Sequence, residues 1–198
     1  MSYSPATKEV LIDQLRAVFV ARGYDGATLA NLASAVSLSK ASLYHHFPGG
    51  KPEMASALVR HAIADLQRHA FSHLGGPEPA NERLIRFIDG FSEYTQAGSS
   101  DCLLAVFNHH STASEETAQH QRTIAEQFGD WHTVLAEVFE ATGLKPKKAT
   151  QQAYDLLGAL YGALLVARMH NEPRLFARAI KRLKKRLKQN LSHPPETN

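Results

Sequence analysis

Cysteine occurs once in 198 residues, as Cys102, so no internal disulfide can staple this fold and the chain suits a reducing compartment. The cytoplasm is its expected location. Long apolar runs are missing too. The most apolar stretch, LLGALYGALLVARM, is shorter than the roughly 20 residues a spanning helix needs, and Asp155 stands in front of it. No membrane partner is expected. The opening MSYSPATKEV lacks the apolar core of a signal peptide. Strict apolar–polar alternation, the mark of a half-buried strand, is not found. Nor is there an internal repeat, a Gly-rich phosphate loop, a nucleophile–base pair or a recognisable metal spacing. These absences argue against an enzyme and leave no cofactor to expect.

What is present is an ordinary globular composition with a basic lean. Hydrophobic residues make up 43% and charged residues 21%, enough for a real core. Net charge is +3 with a pI near 9.0, which allows a nucleic-acid partner without requiring one. The eleven histidines would add positive charge below neutral pH. His109, His110, His120, His132 and His170 are read as pocket lining or surface, because adjacent His109 and His110 point about 100° apart on a helix and no pair shows a zinc-site spacing. Cys102 is read as a packed thiol, since it has Asp101 and no basic residue beside it.

Apolar residues recur at three and four, so the chain reads as all-α. A first helix runs from about Thr7 to Arg22 and stops at Gly23; Thr28 caps a second, short helix that buries Leu29, Leu32 and Ala33. Ser39 then caps a third, within the stretch SLSKASLYHHFPGGK. Leu43 and Phe47, four apart, point inward, which leaves Ala41, Ser42, Tyr44 and His45 outward and Lys40 at the border. The two short helices joined through AVSLS form a helix-turn-helix. Pro52 is placed to open a long helix through about His73, followed by a helix over about 82–96 and a short one around CLLAVFNHH. Ser114 is placed to cap a long helix, Pro146 and Pro173 to open two more, and the tail SHPPETN to be disordered.

An exposed helix of this kind suits the DNA major groove, where N-terminal side chains meet base edges. Lys40 can donate to guanine, Ser42 can pair with either base type, and the Ala41 methyl can touch a thymine methyl. Ser39 belongs to the same end as its cap. Tyr44, His45 and Thr28 are better placed for phosphates, and Lys51, at the start of the fourth helix, for a phosphate clamp. The alternative is a solvated helix face.

The pattern GYDGATLANLASAVSLSKASLYHHF resembles the N-terminal region of TetR-family transcriptional regulators, with its glycine–aromatic link, threonine cap and closing Leu-Tyr-x-x-Phe. Two positions depart from that pattern. Ser37 stands where the family usually has glycine, and FPGGK is one residue longer than the common spacing, like the multidrug-type repressors that carry Gly-Gly-Lys. The resemblance implies a DNA-binding domain over residues 1–50 and a helical effector-binding and dimerisation domain over 51–198. It implies a homodimeric repressor on a pseudo-palindromic DNA operator, released by a small-molecule effector.

Candidate effector contacts are the aromatics Phe91, Tyr94, Phe107, Phe128, Trp131 and Tyr161, with His110 as an orienting polar group. Plain core is the competing reading for each. Gly158 and Gly162, four apart, permit close helix approach, and with Leu164, Ile180, Leu183 and Leu187 they are the candidate dimer interface. The basic run from Arg174 to Lys188 is taken as a solvated face supporting that interface, with a second DNA contact as the alternative. Two other functions remain in play: a helical-bundle enzyme using histidines as acid and base, and an effector-independent DNA-binding protein.

Overall fold

The computed structural model describes residues 8–108 and 115–192. Among these residues there are nine α-helices, two 3-10 segments and no strand. The all-α expectation holds, and no described helix is long and apolar enough to cross a membrane.

The helix boundaries have local causes. α1 (Lys8–Gly26) is broken at Gly23, whose φ of 66° and ψ of −178° lie outside helical space. α2 (Leu29–Ala35) starts where the Thr28 hydroxyl accepts the Asn31 N–H at 3.2 Å. It closes in a left-handed turn at Ser37, φ 53°, with the Ser37 and Leu38 amides donating to the Ser34 and Ala33 carbonyls at 3.1 and 3.0 Å. That is a Schellman closure made without glycine, so Ser37 takes the costlier conformation expected of it. α3 (Lys40–His46) follows its Ser39 cap directly.

α4 (Gly50–His69) begins two residues before Pro52, because Gly50 adopts φ 64° and its amide donates to the Phe47 carbonyl at 2.9 Å. It ends at His69, short of the expected His73. The next residues, Phe71–Gly75, tighten into a 3-10 segment that turns Phe71 and Leu74 into the core. α5 (Ala80–Tyr94), α6 (Leu103–Asn108), α7 (Glu115–Glu140), α8 (Pro146–Met169) and α9 (Pro173–Ser192) complete the chain. Pro146 and Pro173 open their helices as the sequence predicts. The Ser114 cap and most of the tail fall outside the described residues.

The described residues pack as two compact units, one from Met1–Ala64 with Cys102–Ala125, the other from Asp65–Asp101 with Glu126–Asn198. The chain passes between the units three times: inside α4, just before α6 between Asp101 and Cys102, and inside α7. The first unit buries Leu11, Leu15, Phe19, Leu32, Leu43 and Phe47; the second buries Phe87, Phe91, Leu135, Leu160 and Phe176. Each such side chain contributes about 1.5–3 kcal/mol of burial, so both units rest on apolar cores of their own. Val10 of α1 is exposed, and Cys102 is buried, as expected of a packed thiol.

Candidate nucleic-acid interface and effector region

α3 has only seven residues, too few to hold a helix in water unaided. Its anchors fix it instead. Leu43 and Phe47 have no exposed surface, and Ser39 Oγ accepts the Ser42 N–H at 3.0 Å while lying 2.9 Å from Ser42 Oγ. The other flank is open: Lys40, Ala41, Tyr44 and His45 are exposed and Ser42 is half-buried. The Ser39 hydroxyl is thus occupied as a cap and Ser42 shares its own with it, whereas the Lys40 ammonium makes no bond among the described residues. Thr28, likewise exposed, is engaged with Asn31 through both its acceptor and its donor, the latter at 2.6 Å to Oδ1.

The Gly-Gly-Lys segment is held from behind. Glu53 accepts from the Gly49 N–H at 2.8 Å and from Lys8 Nζ at 2.8 Å. The Lys8 bond, then the Gly49 amide, keep its carboxyl below the usual glutamate range. Lys8 also lies 4.8 Å over the Phe47 ring, and the Tyr44 ring packs against Gly50, where an added Cβ would sit 3.3 Å from Cε1. Lys51 is not extended into solvent. Its amine donates to the Tyr24 carbonyl at 3.1 Å and sits 4.4 Å over the Tyr24 ring. Two of its three N–H donors remain for an outside acceptor.

Tyr24 in turn meets the edge of His120 at 5.6 Å, and buried His120 has Nε2 3.0 Å from Ser56 Oγ and faces Phe107 at 5.9 Å. Lys8, Tyr24, Glu53, Ser56 and His120 were not legible as parts of this site. Their pairings run 27 to 64 residues apart in sequence, where no local pattern marks them.

The aromatic candidates divide between the units. In the second unit Trp131 stacks on Phe71 at 4.2 Å and 6°, and meets Phe128 at 5.3 Å. Phe128 meets Tyr161 at 5.7 Å, and Tyr161 meets Phe91 at 5.1 Å, which makes a continuous row of rings. Tyr94 lies beside His69 at 6.4 Å. Phe107 belongs to the first unit, against Phe19 at 5.6 Å, so it does not join that row. His110 lies outside the described residues. Trp131 is 2% exposed and its indole N–H donates to Gln67 Oε1 at 2.7 Å. Phe128 and Tyr161 are only half-buried, so the row reaches the surface there.

Comparison with known proteins accounts for both halves of the chain. The profile described as bacterial regulatory proteins, tetR family, matches residues 11–58, and that described as transcriptional regulator LmrA/YxaF-like, C-terminal domain, matches residues 80–182. The second match alone spans more than half of the sequence. The chain belongs to the TetR family of transcriptional regulators. It is a DNA-binding regulator and not an enzyme.

This TetR-family regulator is 27% identical over 163 residues to the HTH-type transcriptional regulator BetI of Brucella anthropi, covering 82% of this chain and 81% of that one. Over 44 residues, 22% of this chain and 24% of the other, it is 46% identical to IcaR of Staphylococcus aureus, negative regulator of the biofilm operon icaADBC. Its fold is similar to a TetR regulator from Chloroflexus aurantiacus, with TM-score 0.78, 20% identity and coverage of 92% and 94% of the two chains. It is also similar to AibR, solved with isovaleryl coenzyme A and operator DNA, with TM-score 0.64, 21% identity and coverage of 78% and 85%.

The six candidate dimer residues of the TetR-family regulator do not share one surface. Gly158 and Gly162 are open, with nothing within 4 Å of an added Cβ. Leu164, Ile180 and Leu187, expected at the dimer interface, are instead buried within the single chain, and Leu183 is half-buried. α9 lies against both α5 and α8. The outward apolar residues are instead Tyr154, Leu165, Val166 and Met169, the last 78% exposed, on the same side of α8 as the two glycines.

Proposed function

We propose that this regulator is a homodimeric, ligand-responsive repressor that acts in the cytoplasm, on a pseudo-palindromic operator. The observation that carries the reading is α3 itself: a short helix pinned from behind, presenting Lys40, Ala41, Tyr44 and His45 in one exposed row. Lys40 reads a base edge, with Ala41 and Ser42 beside it, while Tyr44, His45 and Thr28 set the register on phosphates. Lys51 adds a phosphate contact through the donors that Tyr24 leaves over. The dimer forms through the Gly158–Gly162 side of α8, with Tyr154, Leu165 and Met169 as its apolar centre.

The effector is a small apolar or aromatic molecule that intercalates in or extends the ring row through Trp131, Phe128, Tyr161 and Phe91. α4 and α7 each contribute residues to both units, so an effector that repositions either helix acts on the DNA-reading unit. Inside that unit His120 of α7 meets both Ser56 of α4 and Tyr24, the residue holding Lys51. A shift of α7 is thereby felt at Lys51. Coupling of this kind is on the order of 1–3 kcal/mol.

The test follows Trp131 emission and duplex release on the same samples, with a library that contains aromatic drugs and, because AibR was solved with one, acyl-coenzyme A thioesters. Compounds that perturb Trp131 should also lower affinity for the selected duplex. Compounds that change emission and never alter DNA binding would remove the effector half of the reading.

A further inference from the structure

The basic lean of the chain has a single source. α9 holds eight of the 22 lysines and arginines and none of the 19 aspartates and glutamates, so the rest of the chain has more acidic than basic residues, 19 against 14. At 100° per residue, buried Phe176, Ile180 and Leu187 define the inner side of the helix. Arg174, Arg178, Lys181 and Lys185 run along the opposite side, all four exposed. Lys184 is the exception in direction, turning to α5 and pairing with Asp89 at 2.6 Å. The four outward cations form no ion pair among the described residues.

A merely solvated helix face does not account for this arrangement. Solubility is served by mixed signs, and like charges three and four apart oppose helix formation. Arg174–Arg178, Arg178–Lys181 and Lys181–Lys185 are such pairs, repeated along one stripe of about 17 Å at 1.5 Å per residue. The apolar side of α9 is already covered within its own unit, so the helix has no hydrophobic face left to insert into a lipid surface. What remains is a rigid row of cations, two of them guanidinium forks suited to phosphate oxygens.

We propose that the outward face of α9 is a second nucleic-acid surface, which binds the phosphate backbone of duplex DNA without reading sequence and independently of α3. The partner class follows from charge and chemistry: a polyanion with closely spaced phosphates releases condensed counterions when several fixed cations meet it at once.

The experiment uses the full chain carrying Lys40→Ala and Tyr44→Ala, which removes the α3 contacts, and a short mixed-sequence duplex as probe. This parent should still bind the duplex in a salt-sensitive manner. Adding Arg174→Gln, Arg178→Gln, Lys181→Gln and Lys185→Gln should weaken binding at least about tenfold at low salt. It should also reduce the slope of log affinity against log salt by about 3 to 4, at about 0.9 for each phosphate contact. Replacing both arginines by lysine keeps the charge and should keep most of the binding, which separates loss of cations from loss of folding. An unchanged slope in the glutamine variant overturns the proposal. So does loss of self-association with duplex binding intact, or binding to phosphatidylserine vesicles without binding to duplex. If α3 is not a DNA reader, the Lys40 and Tyr44 substitutions change nothing while the α9 substitutions still act, so the two readings fail separately.

Discussion

Replacing Gly90 by alanine should destabilise the second unit, although alanine is the better helix former. Gly90 sits inside α5, where the helix passes the end of α4. An added Cβ would lie 2.7 Å from the His69 carbonyl carbon, 3.0 Å from Ala70 Cα and closer still to the His69 carbonyl oxygen. These are backbone atoms, which cannot swing aside as a side-chain tip can, so α5 must withdraw. Phe87, three residues before it, and Phe91, the next residue, buried at 0% and 1%, would lose contact as it does. Overpacking of this kind costs about 1–3 kcal/mol, and the loosened phenylalanines bring the penalty to the upper end. Helix propensity returns about 1 kcal/mol, so a net loss of about 2 kcal/mol is expected. With a urea slope of about 2 kcal/mol per molar, the midpoint falls by about 1 M. Trp131, buried in the same unit, reports the transition by fluorescence. The control is Gly129→Ala in α7, where an added Cβ meets nothing within 4 Å; there propensity acts alone and the midpoint should rise. An alanine at 90 as stable as the parent, or more stable, would refute the packing argument.

Three further outcomes are expected. The Glu53 carboxyl titrates below its ordinary value of 4.5, so its bonds to Lys8 and Gly49 stabilise the first unit above that pH and are lost as pH falls through the depressed value. With Glu53 and Lys8 at 29% and 49% exposure the effect is below about 1 kcal/mol, and Glu53→Gln should flatten the acid limb of the stability curve. Arg168 grips Asp101 with both arms of its fork at 2.9 Å and donates to the Ser99 carbonyl at 2.9 Å. Arg168→Lys cannot reproduce that geometry and should lower thermal stability by about 1–2 kcal/mol. A Cβ added at Gly158 meets nothing within 4 Å, so for Gly158→Leu sedimentation should show an intact fold with weakened dimerisation; an unaltered dimer would place the interface elsewhere.

Local chemistry made the DNA-reading unit legible. Thr28 and Ser39 cap the residues three positions on, Leu43 and Phe47 share a face four apart, and Ser37 occupies a turn that wants φ > 0; each signal lies within a few residues of its effect. The second unit was legible in helix count, but not in which faces meet. Leu164, Ile180 and Leu187 read as surplus apolar surface because nothing in the sequence says that α5, α8 and α9 cover one another. Phe107 and Trp131 look alike as aromatic residues on later helices, yet one packs on Phe19 and the other on Phe71. Lys51 shows the same limit: its charge was visible, its tie to Tyr24 across 27 residues was not.

The central claim, that α3 of a two-fold dimer reads DNA, is tested most directly by selecting bound fragments from random duplex DNA with the full chain and with its Lys40→Ala variant. The account predicts enrichment of a pseudo-palindrome whose half-sites lie about 34 Å or a small multiple apart, and a changed base preference in each half-site for the variant. Fragments with no shared sequence, or the same sequence and affinity for both proteins, would contradict it.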